Sequence, residues 1–142
     1  MGTTGFKIIN HTADTGINVQ AGSLPELFAE AARGMIFVIT GENIENIEFT
    51  KLKEITINGI DNEQIMVDFL TRLLYFIETE DFLPLEYISP VISENSLNMK
   101  IRGISIRKNQ IKLNTGIKGV TYHQMNIRKD DGSWATDIIF DI

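Results

Sequence analysis

Two stretches of this chain carry a helical period and most of the rest alternates as strands do, a division that bounds the fold more tightly than any other feature. In SLPELFAEAARGMIFVIT, residues 23–40, Ser23 stands as an N-cap, Pro25 falls in the first turn and Glu26 follows the cap by three residues. Leu24, Leu27, Phe28, Ala31, Ala32 and Met35 recur at helical spacing, which buries one face. Gly34 costs about 1 kcal/mol relative to alanine in such a helix, and close packing is the expected reason for it. The second helix follows Asp61, which can cap it with Gln64 three residues on; Ile65, Phe69, Leu73, Phe76 and Ile77 form its inner stripe. Strands are expected at 6–9 and 16–20, along the alternating run 43–61 with a weak turn near Thr50, and at 86–93, 96–107, 110–113, 118–128 and 134–142. Asn95, Gly103, Asn109, Gly116 and the KDDGS run at 129–133 mark turns or kinks. Two helices among these strands predict an α+β fold with mainly antiparallel pairing. A strand–helix–strand unit occurs twice, once around each helix.

At 142 residues, 43% apolar and 23% charged, the chain is expected to form one domain, 1–142, with a real core. No apolar run approaches a membrane span and no signal peptide is visible, so a cytoplasmic location and no membrane partner are expected. Without cysteine there is no disulfide framework, thiol nucleophile or zinc–thiolate site. The net charge of −6 opposes the basic footprint of a nucleic-acid binder, so tight binding of free RNA is not expected. It suits metal ions, basic protein partners or plain solubility.

The chemistry to weigh lies at the two ends. In WATDIIFDI, residues 134–142, a period of two puts Trp134, Thr136, Ile138, Phe140 and Ile142 on one face and Ala135, Asp137, Ile139 and Asp141 on the other. An apolar terminal strand belongs inside a sheet, which holds Asp141 beside the α-carboxylate of Ile142. Such crowding is costly unless a cation or basic side chain neutralises it. Hard divalent cations favour these oxygen ligands, and Asp14, in the polar knot of IINHTADTGINV, adds a third if the first and last strands meet. An Asx turn at Asp14 and a solvated Asp141 explain the same residues without a metal. His11 and His123 lie in no metal-binding spacing; His11 fits a hydrogen bond within its own turn and His123 a strand face. Lys118, among apolar and aromatic neighbours, either snorkels to solvent or holds its charge toward a phosphate or the acidic end of the sheet. No nucleophile elbow, P-loop or dinucleotide fingerprint is present.

HTADTGI at 11–17, the helix SLPELFAEAARGMIFVI, NEQIMVDFLTRLLYFIETE, IKGVTYHQMNI at 117–127 and the terminal WATDIIFDI together resemble the archease family nearly end to end. The resemblance implies the archease fold, two intertwined strand–helix–strand–strand modules. It also implies a non-catalytic activator of RtcB-type tRNA-splicing RNA ligases, which promotes ligase guanylylation and multiple turnover. A chaperone or specificity module for another tRNA-modifying enzyme, such as a tRNA methyltransferase, is the alternative. A metal-dependent hydrolase using Asp14 and Asp141 is least favoured, because no general base is evident beside them. By the same resemblance Asp14, Asp141 and an oxygen of Ile142 hold a divalent metal, with calcium expected, and Lys118 is the functional lysine that binds a phosphate or anchors the acidic cluster. Thr15 departs from the family pattern, where an apolar residue is expected.

Overall fold

The computed structural model describes residues 4–10, 14–45 and 47–142. Along the chain run β1 (Gly5–Asn10), β2 (Asp14–Ala21), α1 (Leu24–Thr40), β3 (Lys51–Asn58), α2 (Asn62–Thr79), β4 (Leu83–Ser93), β5 (Ser96–Ile104), β6 (Gly119–Thr121), β7 (Arg128–Asp130) and β8 (Ser133–Asp141). One sheet has the order β1-β2-β8-β6, with β7 also paired to β8, and the other the order β3-β5-β4. Every pairing is antiparallel. The α+β architecture with mainly antiparallel sheets is therefore the observed one.

The two sheets repeat one plan. In β3–α2–β4–β5 the last strand sits between the first and the third, leaving β3 parallel to β4. In β2–α1–β6–β8 the last strand again sits between, leaving β2 parallel to β6. The first plan is continuous in sequence and is inserted whole into the second, between α1 and β6. This nesting is the physical content of two intertwined modules. It corrects one detail: the strand after α1 opens the nested module instead of closing α1's own.

Both helices begin as their sequences require. The Ser23 hydroxyl accepts from the Glu26 N–H at 3.3 Å, and the Asp61 carboxylate from the Gln64 N–H at 2.8 Å. Each helix touches both sheets, α1 on β1, β2, β8 and β4, and α2 on β3, β4 and β6. The core thus lies around the helices, with Phe28, Phe69, Phe82 and Phe140 fully buried in it. Gly34 is packed as expected: a Cβ there would come within 2.7 Å of Ile17 Cδ1.

Three expected strand segments resolve differently. Among residues 43–50 none of the described residues is in a strand; the ladder begins at Lys51. Residues 110–113 form no strand, because the following segment caps α1: the Asn114 and Thr115 N–H groups donate to Ile39 C=O at 2.7 and 3.2 Å. The run 118–128 pairs only at 119–121 and at Arg128, since a turn at Tyr122–Met125 breaks it. His123 lies in that turn, exposed, rather than on a strand face. Gly103 is not a turn but lies inside β5, opposite the irregularity where the β4 register shifts between Pro84 and Glu86, and a Cβ there would meet Leu83 O at 2.2 Å.

Candidate functional site

In the antiparallel register of β2 and β8, Asp14 stands directly opposite Asp141, and Gly119 of β6 pairs with Asp141 from the other side. Directly opposed residues share a face, with Cβ atoms about 4.5–5.5 Å apart. That face is the outer one, because Ile17, Val19 and Ala21 of β2 and Ile138 and Phe140 of β8 alternate with it and fill the core. The first residue of one strand and the last of another thus make a single acidic rung at the sheet's end. Like charges so placed destabilise a sheet. Among the described residues neither carboxylate enters an ion pair.

Lys118 lies one step beyond this rung. Its backbone N–H donates to Asp141 C=O at 2.7 Å, and its side chain is exposed and, among the described residues, free of any ion pair. Ile142 also lies beyond the strand. It is 41% exposed, where the strand period had put it on the apolar face. The structure therefore brings Asp14, Asp141, Ile142 and Lys118 to one place. His11, in the same motif as Asp14, lies outside the described residues. His123 stands apart in its turn, where its N–H donates to Thr121 Oγ1 at 3.2 Å.

Asp137 shares the outer face but is already engaged, its Oδ1 accepting from Asn18 Nδ2 at 2.7 Å. Among the described residues no group of three or more His, Cys, Asp and Glu side chains gathers as a metal cage, so the rung offers two carboxylates and backbone oxygens. Those donors are hard oxygens, in no ion pair among the described residues, and they fit a cation such as calcium that takes several oxygens. Sequence reasoning missed Gly119. A Cβ there would meet nothing within 4 Å, so the rung opens on free space at that side. A glycine inside a strand pattern was the available signal.

These features define an α+β protein of two nested β-α-β-β modules, with an acidic, open sheet end on the outer module. The chain belongs to the archease protein family, whose model matches residues 6–142. It is 28% identical over 141 residues to the archease of Methanosarcina barkeri, covering 96% of this chain and 95% of that one. To the archease of Saccharolobus islandicus it is 31% identical over 140 residues, covering 96% and 98%. The solution structure of Methanobacterium thermoautotrophicum protein 1598 superposes with a TM-score of 0.74 at 26% identity, covering 97% of this chain and 99% of that one. A Thermotoga maritima crystal structure, described as an archease and possible chaperone, gives 0.65 at 26% identity, covering 96% of each. No helix among the described residues is long and apolar enough to cross a membrane.

Proposed function

We propose that this chain is a non-catalytic, cytoplasmic activator of an RtcB-type tRNA-splicing RNA ligase, promoting its guanylylation and multiple turnover through a divalent-cation site. The observation that carries the reading is the opposition of Asp14 and Asp141 across β2 and β8, with neither in an ion pair among the described residues. Asp14, Asp141 and an oxygen of Ile142 would hold the ion, with calcium the expected species. When bound, it would supply positive charge to phosphate oxygens. Three protein ligands are fewer than the roughly 6–8 oxygens calcium takes, which leaves room for ligands from a partner. Gly119 keeps that approach clear, and Lys118, tied by its backbone to Asp141, offers an ammonium beside it.

The second reading is a chaperone or specificity module for another tRNA-modifying enzyme, such as a tRNA methyltransferase. The description of the Thermotoga maritima relative as a possible chaperone favours it. A multiple-turnover ligation assay with the cognate ligase separates the two. Asp14→Ala and Asp141→Ala should each abolish stimulation and calcium binding by calorimetry, while the far-ultraviolet circular dichroism stays unchanged. Full stimulation by both folded variants would overturn the cation-site reading, and no stimulation by the wild-type chain would favour the chaperone.

A further inference from the structure

A pocket of about 240 Å³ opens where the two sheets meet, floored by Phe6 of β1, Phe37 of α1, Ile44 and Leu85 of β4. All four side chains are only half-buried, and Phe6 and Phe37 hold each other with ring centroids 5.7 Å apart. The volume is below the roughly 300–1,000 Å³ of small-molecule sites, so it suits a single protruding side chain. Arg33 also reaches the pocket, but its charge is taken up by Glu30 and its guanidinium lies over the Tyr87 ring.

The rim has a definite charge. Residues 42–49 read Glu-Asn-Ile-Glu-Asn-Ile-Glu-Phe, a repeat of three rather than the two of a strand. The structure follows that period: Ile44 and Ile47 pack against the core, while Glu42, Glu45 and Glu48 are exposed. Among the described residues none of these glutamates enters an ion pair, and Glu42 and Glu45 border the pocket. An apolar floor with an uncompensated acidic rim matches a basic segment carrying an apolar anchor, and it repels nucleic acid. We infer that this pocket is a second docking surface, for a Lys- or Arg-bearing segment of a partner protein that inserts one aliphatic or aromatic side chain.

The surface is separate from the acidic rung. Phe6 pairs with Val19, on the core face of β2 and five residues along from Asp14. That is about 17 Å at a strand's rise of roughly 3.3–3.4 Å per residue. The inference therefore goes beyond the cation-site reading and fails independently of it.

The test is a titration of the ¹⁵N-labelled protein with the synthetic peptide Lys-Lys-Leu-Phe-Lys-Lys, followed by amide shifts. Shifts should centre on Phe6, Phe37, Ile44 and Leu85. Affinity should fall about tenfold or more when alanines replace the Leu-Phe pair, when glutamates replace the lysines, and in the Glu42→Lys/Glu45→Lys variant. Calcium binding by that variant should stay unchanged, because the rung is untouched. Equal binding of the alanine peptide, or shifts centred on Asp14 and Asp141, would overturn the proposal. So would a concentration-dependent dimer, seen by light scattering and lost in the charge-reversed variant, since the occupant would then be a second copy of the chain.

Discussion

The nested module and the outer module share a plan but finish the same sheet end in opposite ways. In the outer module the terminal rung is Asp14–Asp141–Gly119; in the nested one the corresponding rung is Lys51–Gly103–Pro84. The nested end is closed. Its nearby carboxylate, Asp81, accepts from the Ser105 hydroxyl and, at 3.0 Å, from the Arg107 N–H. Lys51 Nζ donates to Asp81 C=O at 3.1 Å, and Leu83 lies against Gly103. The outer end has two carboxylates, no ion pair among the described residues, and open space beside Gly119. A carboxylate with a structural task is given donors by its own chain. At the outer rung two carboxylates face each other instead, and the proposed cation site rests on that difference.

The largest effect that tests this contrast is steric. Gly103→Ala places a methyl against the backbone oxygen of Leu83, a neighbour that cannot turn aside, and should cost about 3 kcal/mol. Gly119→Ala meets nothing and should stay within about 0.5 kcal/mol of wild type. Urea unfolding of the two variants checks both. Similar costs would mean that the two ends are packed alike.

The next effect is one of sign. Asp81→Asn should lower the melting temperature at neutral pH, because the Arg107 N–H and the Ser105 hydroxyl then face a neutral amide. Asp141→Asn in the presence of a chelator should leave it unchanged or raise it, since relieving an opposed like-charge pair is worth about 0.2–1 kcal/mol. Adding calcium at about 100 times the dissociation constant should stabilise the wild type by about 2.7 kcal/mol and the Asp141→Asn variant by much less. A chelator-treated Asp141→Asn protein that melts well below wild type would make that carboxylate structural.

The parts of this contrast legible in the sequence were those set by local chemistry. Ser23 and Asp61 announced both helices, and the apolar stripes after them are the buried ones. The terminal strand was readable because its residues are mostly apolar, and a period of two places Asp141 on the outer face. What stayed hidden depended on distant partners. Ile111 and its neighbours alternate like a strand, yet the segment just beyond them is spent capping α1, some seventy positions earlier, as the Asn114 side chain bonded to Thr40 C=O records. The three-residue repeat around Ile44 passes for alternation over a short window. Nesting itself leaves no local mark, because β6 and β8 return to the first module only after another module has intervened.

The smallest effect is the dependence of stability on pH, and it isolates the closed end. Hydrogen bonds from the Ser105 hydroxyl and the Arg107 N–H, aided by the nearby charges of Lys51 and Arg107, hold the Asp81 carboxyl below its ordinary value of 3.8. Between the folded and the ordinary value the unfolded chain binds more protons, so stability rises with pH through that window. Asp81's contribution is fully present above the ordinary value and is lost as pH falls toward the folded one. Asparagine keeps the side chain's shape and tolerates the positive φ of 52° at this position, but it does not titrate there. The stability difference between wild type and Asp81→Asn should therefore be constant from pH 7 to about 5 and narrow below about 4. Urea titrations at stepped pH would measure it. A difference that persists unchanged to pH 2 would show that the oxygen positions, rather than the charge, close this end.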